Sequence, residues 1–346
     1  MLRSLYSGIS GMKVNQTKMD VIGNNIANVG TTSFKSSRVR FQDMLSQNVT
    51  QALSPGRMQG GTNPRQVGLG VQLAGIDTMV SQGMMQPTGR NLDVAMDGEG
   101  YLMVAKSEKK FTDADGILVN NDSTNVKNHT VTNAKGAEIM YTRDGALTLD
   151  SEGNLLTPDG FRVLGYSVTD GTNKSIKDDG TISFIDSNAA GLTTVGAAGA
   201  TGDKFLKTLR IPDQVFDGAT PIRVKTFNIE KDGAIKAVLE DGRVTVLGQM
   251  AMTAFKNPAG LTKMGKNLYQ ASANSGDAVV RAGLGAGAND NSKGYGDMLQ
   301  GMLEMSNVDL AEQFTDMIVT SRAFQASSKV ISTGDEILQD ILNLKR

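Results

Sequence analysis

Both ends of this 346-residue chain carry apolar residues that step by three and four, and its middle does not. That contrast restricts the fold more than any other feature of the sequence. At the N-terminus Leu2, Leu5, Ile9, Met12, Gln16, Met19 and Ile26 form such a line, with Gly23 filling the vacant step. This is the heptad seam of a helix that seeks a partner. From Ser306 a second line runs through Leu310, Phe314, Met317, Ser321, Phe324, Ser328, Ile331, Asp335, Leu338 and Leu342. Its opening, SNVD, reads as an N-cap at Ser306 followed three residues later by the carboxylate of Asp309. A further apolar line at Val330, Ile337 and Ile341 gives this helix more than one neighbour to satisfy. The seams alone allow pairing within one chain or between copies.

Charge favours pairing of the two ends. Residues 1–40 hold six bases (Arg3, Lys13, Lys18, Lys35, Arg38 and Arg40) and one acid, Asp20, whereas residues 300–346 hold seven acids and four bases. Opposite signs attract, although each exposed pair contributes little. The polar interruptions in both seams weaken an isolated coiled coil, which suits helices that order only on docking. In VIGNNIANVG, residues 21–30, Asn24, Asn25 and Asn28 break an otherwise apolar run. Amides compete for nearby backbone and favour helix ends, and buried amides fix register in helical seams. We expect these three to set the register of the junction that leaves the first helix.

Between the ends, stretches such as LDVAMDGEGYLMVAK and FNIEKDGAIKAVLEDGRVTVLGQMAMTAF alternate apolar and polar residues around Asp-Gly pairs, the signature of antiparallel hairpins. The expected fold class is therefore α+β: a mainly antiparallel β middle, with long N- and C-terminal helices pairing as a coiled-coil-like inner domain. The expected domains are a helical one from 1–40 and 300–346, an extended connecting loop over 41–70, and a β-rich middle from 71–168 and 222–299. The Gly- and Ala-rich stretch 169–221 reads as a small or reduced outer domain.

Composition excludes much chemistry. There is no Cys, hence no disulfide, thiolate nucleophile or thiolate metal site, and the single histidine, His129, sits in a polar loop composition. The Asp-Gly pairs at Asp97, Asp115, Asp144, Asp159, Asp232 and Asp241 lack the full calcium-loop pattern. GLGVQLAG and GLGAGAND do not complete a dinucleotide fingerprint. Asp93 and Asp97 could serve a hydrolase as paired carboxylates, but their strand-and-turn context favours ordinary turn residues. We therefore expect no catalytic residue, metal or cofactor. Lys plus Arg number 35 against 36 Asp plus Glu, no field to steer nucleic acid. No run approaches the roughly 20 apolar residues of a membrane span, and the N-terminal residues lack the apolar block of a cleavable signal peptide. A cell-surface binding or adhesive β protein is the alternative from another class.

SGISGMKVNQTKMDVIGNNIANVGTTSFKSSRVRF resembles the N-terminal signature of bacterial flagellar rod and hook proteins, with IGNNIANV its most specific core. QGMMQPTGRNLDVAMDGEGYLMV and YTRDGALTLDSEGNLLTPDG resemble that family's inner β domain, and LGQMAMTAFKNPAGLTKMGKNLYQASANSGDA its return strands. The C-terminal SNVDLAEQFTDMIV fits the hook form of the family better than the rod form. The resemblance implies a structural homopolymer, a curved tube acting as a universal joint around an axial export channel; the distal rod is the alternative within the family. It also implies termini that are disordered in the exported monomer and pair on assembly. The partners it implies are other copies of the chain, the distal rod, the hook cap, the hook–filament junction protein and the flagellar export apparatus. The expected location is the extracellular hook, reached without a cleavable signal peptide.

Overall fold

The computed structural model describes residues 2–54, 56, 60–106, 117–119, 131–133, 137–170, 173–177, 181–189, 192–194, 204–218, 220–281 and 296–344. Two compact units are present. One comprises residues 1–31, 35–81 and 306–346, the other residues 32–34 and 82–305.

The first unit holds both long helices, α1 (Leu2–Ala27) and α2 (Leu310–Leu344), packed against each other. α1 carries no Pro, and it ends where Asn28 and Thr31 close successive turns onto the carbonyls of Asn24 and Asn28. α2 has 35 residues, about 52 Å of helix at 1.5 Å per residue. Its cap falls three residues later than the sequence pattern places it. Asp309, not Ser306, is the N-cap, its carboxylate accepting the N–H groups of Ala311 at 2.8 Å and Glu312 at 3.3 Å. Ser306 instead closes the preceding turn, accepting the N–H of Val308. Asp outcompetes Ser here because its charge also answers the positive end of the helix dipole.

Residues 41–70, expected as an extended connecting loop, contain paired strands among the described residues. Strand Ser37–Asp43 runs antiparallel to Val71–Thr78, and Ser46–Thr50 antiparallel to Arg65–Gly68. The sequence hid these pairs because the paired residues lie 15 to 41 positions apart and no short turn joins them.

The second unit is built on a sheet ordered 214–217, 220–229, 234–239, 244–250, 162–166, 101–106, 138–142, 268–270 and 262–265, with neighbours hydrogen-bonded and antiparallel. Strand Tyr101–Lys106 is buried on both faces: Leu102 and Val104 join one apolar cluster, Tyr101, Met103 and Ala105 the other. That is why YLMVA reads as a continuous apolar run rather than an alternating one. Burial also pushes the phenols of Tyr101 and Tyr141 up to about 12. Of the Asp-Gly pairs, Gly160, Gly233 and Gly242 take φ of 83°, 82° and 85°, the left-handed conformation that tight turns require. His129, Asp115 and the GLGAGAND stretch lie outside the described residues.

Parts of 169–221, expected as an outer excursion, belong to this sheet: Lys204–Thr208 pairs with Arg162–Tyr166, and Gln214–Asp217 forms an edge. The Gly- and Ala-rich composition around them masked the buried positions Leu206, Leu209, Ile211 and Val215.

Candidate functional site

In the unit that contains α1 and α2, the helices meet through small residues. Gly8 of α1 and Gly334 of α2 are buried where they face the other helix. A methyl group built on Gly8 would stand 3.1 Å from Ile331 Cγ1, on Gly11 3.1 Å from Ser327 Oγ, and on Gly334 2.9 Å from Leu5 Cδ2. The axes approach closely because nothing larger separates them.

The seam residues read from the sequence distribute around this line. Leu5, Met12, Met19 and Ile26 are half-buried, whereas Ile9 and Gln16 are exposed; the side chain of Leu2 is not described. On α2, Met317, Phe324, Ile331 and Leu338 are half-buried, but Leu310, Phe314 and Leu342 are exposed. Ser327 and Gly334 face α1 instead of Ser328 and Asp335, each one residue earlier. Periodicity locates a stripe by its large apolar residues, and here the intrachain contact lies on its small-residue side.

Large apolar surface is left over. Leu310, Phe314 and Ile318 are 40, 50 and 63 % exposed and step by four along one flank of α2. Val330, Ile337 and Ile341, at 45, 50 and 46 %, line the other flank, since twenty residues at about 100° each bring the helix nearly half a turn round. Beside α1, Tyr6, Ile9, Ser10, Lys13, Met44 and Leu69 line an open groove of mainly apolar surface.

Polar groups fix the register of this unit. Asn25, 1 % exposed, treats Ser37 as a strand neighbour would: its Nδ2 donates to Ser37 O at 2.9 Å and its Oδ1 accepts from Ser37 N at 3.0 Å. The same Nδ2 donates to Gln313 Oε1 at 3.0 Å, so one amide joins α1, the strand after it and α2. Asn24 and Asn28 act on each other: Asn28 Nδ2 donates to Asn24 O and Oδ1 at 2.9 and 3.0 Å at the end of α1. Lys18 Nζ lies 3.4 Å from Asp316 of α2. Asn307, which the sequence reading did not single out, receives Ser36 N–H on Oδ1 at 2.8 Å and donates to Met79 O and Ser81 O. It closes the strand pair onto the start of α2 as Asn25 closes it onto α1.

The second unit contains a buried ion pair, Arg143 Nε to Glu304 Oε2 at 2.9 Å, with side chains 2 and 0 % exposed. Arg143 also donates to the carbonyls of Gly100 at 3.1 Å and Gly98 at 2.9 Å, and Glu304 Oε1 accepts Gly83 N–H at 2.9 Å. Asp93 and Asp97 are separately engaged: Asp93 accepts from Thr88 Oγ1 at 2.7 Å and lies 3.5 Å from Arg90, and Asp97 accepts from Gln82 at 2.9 Å. They form no shared site. Among the described residues no group of three or more His, Asp or Glu side chains could hold a metal ion, and no helix is long and apolar enough to cross a membrane.

Compared with known proteins, residues 5–35 match the family described as flagella basal body rod protein, residues 128–184 the flagellar hook protein FlgE/F/G D1 domain, and residues 299–344 the flagellar basal body rod FlgEFG protein C-terminal region. The chain is 39 % identical to the flagellar basal-body rod protein FlgG of Bacillus subtilis over 346 residues, covering all of both chains. It is 32 % identical to the flagellar hook protein FlgE of Treponema pallidum over an alignment of 471 positions, again covering all of both. Among solved structures, the Helicobacter pylori flagellar hook protein FlgE2 aligns with a TM-score of 0.38 at 12 % identity, over 64 % of this chain and all of that one.

Proposed function

Because the chain belongs to the bacterial flagellar rod and hook protein family, whose members are structural components of the flagellum, we propose that it is the subunit of the curved hook. In this reading many copies polymerise through their terminal helices into a tube that passes motor torque from rod to filament and leaves a channel for export. The uncovered apolar flanks of α2 carry it. Leu310, Phe314 and Ile318 on one side and Val330, Ile337 and Ile341 on the other are each about half exposed, and covering what remains of one such side chain contributes on the order of 1 kcal/mol. A neighbouring copy on each flank, repeated along a helix of subunits, removes this surface from water.

The hook form is supported by the C-terminal stretch SNVDLAEQFTDMIV. The distal rod is the second reading, favoured by the end-to-end match to a relative named as a rod protein. By the same proposal the subunit leaves the cell through the flagellar export apparatus without a cleavable signal peptide. It then meets the distal rod, the hook cap and the hook–filament junction protein as neighbours.

Electron microscopy of the full-length chain under polymerising conditions tests both levels. Curved hollow tubes are expected for the hook and straight ones for the rod. Leu310→Asp and Phe314→Asp, at exposed positions, are expected to leave the monomer folded by circular dichroism and to abolish tubes. Normal-length tubes from either variant would sink the assembly surface.

A further inference from the structure

Three residues after α1 belong to the β-rich unit rather than to the unit of helices: Thr32–Phe34. Each is held separately. Thr32 Oγ1 donates to Asp144 Oδ1 at 3.1 Å, and Thr32 O accepts from Asn267 Nδ2 at 3.0 Å. Ser33 is 2 % exposed; its N–H donates to Glu304 O at 2.8 Å and its Oγ to Arg143 O at 2.7 Å. Phe34 lies under Lys263, with Nζ 5.0 Å from the ring centroid. Ser33 has φ of +54°, a left-handed conformation that a residue with a Cβ leaves unless its surroundings hold it there.

We propose that Thr32–Phe34 is a releasable strap on the β-rich unit, with Ser33 as its catch. The bonds that hold Ser33 end on the backbone carbonyls of Arg143 and Glu304, not on their side chains. When the strap lifts, the Arg143–Glu304 ion pair, the bond from Gly83 to Glu304 and the pairing of Met305 N with Met84 O all stay intact. The rest of the unit therefore has no reason to open with it. Lifting also lets Ser33 return to the broad extended region, so seated and lifted are two discrete states rather than a continuum. Asn267 and Lys266, at φ of +57° and +54°, form the two-residue turn that presents the Asn267 amide to Thr32. That turn serves as the keeper of the strap. Lifting frees three residues of chain, up to roughly 10 Å of slack at about 3.3 Å per residue. If the chain is the proposed hook or rod subunit, a segment that can be let out in this way would yield when the polymer flexes; only this last consequence rests on that role.

Hydrogen exchange on the full-length monomer tests the strap without needing polymers. The Ser33 amide is expected to exchange at least tenfold faster than that of Leu102 in the unaltered chain. In the double variant Thr32→Val with Asn267→Gly, and separately in Ser33→Ala, exchange of the amide at position 33 is expected to accelerate about tenfold more, with Leu102–Val104 exchange and the Tm of the β-rich unit unchanged. Equal protection of Ser33 and Leu102 in the unaltered chain would overturn the proposal. So would unchanged Ser33 exchange in the variants, or acceleration throughout the unit. Loss of tube formation alone bears on the proposed function and not on the strap.

Discussion

Asn25 engages both backbone groups of Ser37 and the side chain of Gln313 with a single amide. Replacing it by leucine keeps most of the volume but removes all three hydrogen bonds of a side chain that is 1 % exposed. Asn25→Leu is therefore expected to lower the stability of the helical unit by about 2 to 3 kcal/mol, as buried orphaned donors and acceptors do. The equivalent change at Asn24, which is exposed, is expected to cost less than about 0.5 kcal/mol. Denaturant unfolding followed at the helical signal compares the two, and equal losses would contradict the assignment. Three amides in an apolar run were legible in the sequence as an anomaly, but which one is buried was not. Asn307, Arg143 and Glu304 were not legible at all: the ion pair spans 161 residues and Asn307 meets Ser36 across 271, and no local pattern announces such pairings.

The helices α1 and α2 show where periodicity informs and where it misleads. The existence and approximate extent of both could be read from steps of three and four, as could the antiparallel hairpins from their Asp-Gly turns. The face in contact was displaced by one residue along half of α2, because small residues permit close approach and leave no mark on an apolar pattern. Gly334→Leu is accordingly expected to force the helices apart and cost about 1 to 3 kcal/mol, since a Cβ there already stands 2.9 Å from Leu5. Asp335→Leu, at the neighbouring exposed position of the sequence-read seam, is expected to change monomer stability by less than about 0.5 kcal/mol. Thermal unfolding of the two variants separates the geometries. The strands between residues 37 and 78 escaped notice for a different reason: their exposed arms carry little burial pattern, and strand pairing over a long separation has no local signature.

At the level of the whole chain, an α+β arrangement with terminal helices and an antiparallel middle was legible, because patterning sets fold class more firmly than it sets partners. How residues 169–221 join the main sheet was not, since a few buried positions were diluted by Gly and Ala. The β-rich unit has its own two apolar clusters and its own buried ion pair. A chain lacking residues 1–31 and 306–346 is thus expected to remain folded, with near-native strand content, and to form no tubes at any concentration that polymerises the full chain. Tubes from the shortened chain would place assembly outside the helices. The helices come from the two ends of the sequence yet sit in one unit, with residues 82–305 as an excursion between them. Such an excursion can be lengthened at an exposed turn without altering the sequence of the helical unit, for instance at the Asp241–Gly242 hairpin. If the chain polymerises as proposed, a foreign peptide coded once at such a splice point would recur with every copy.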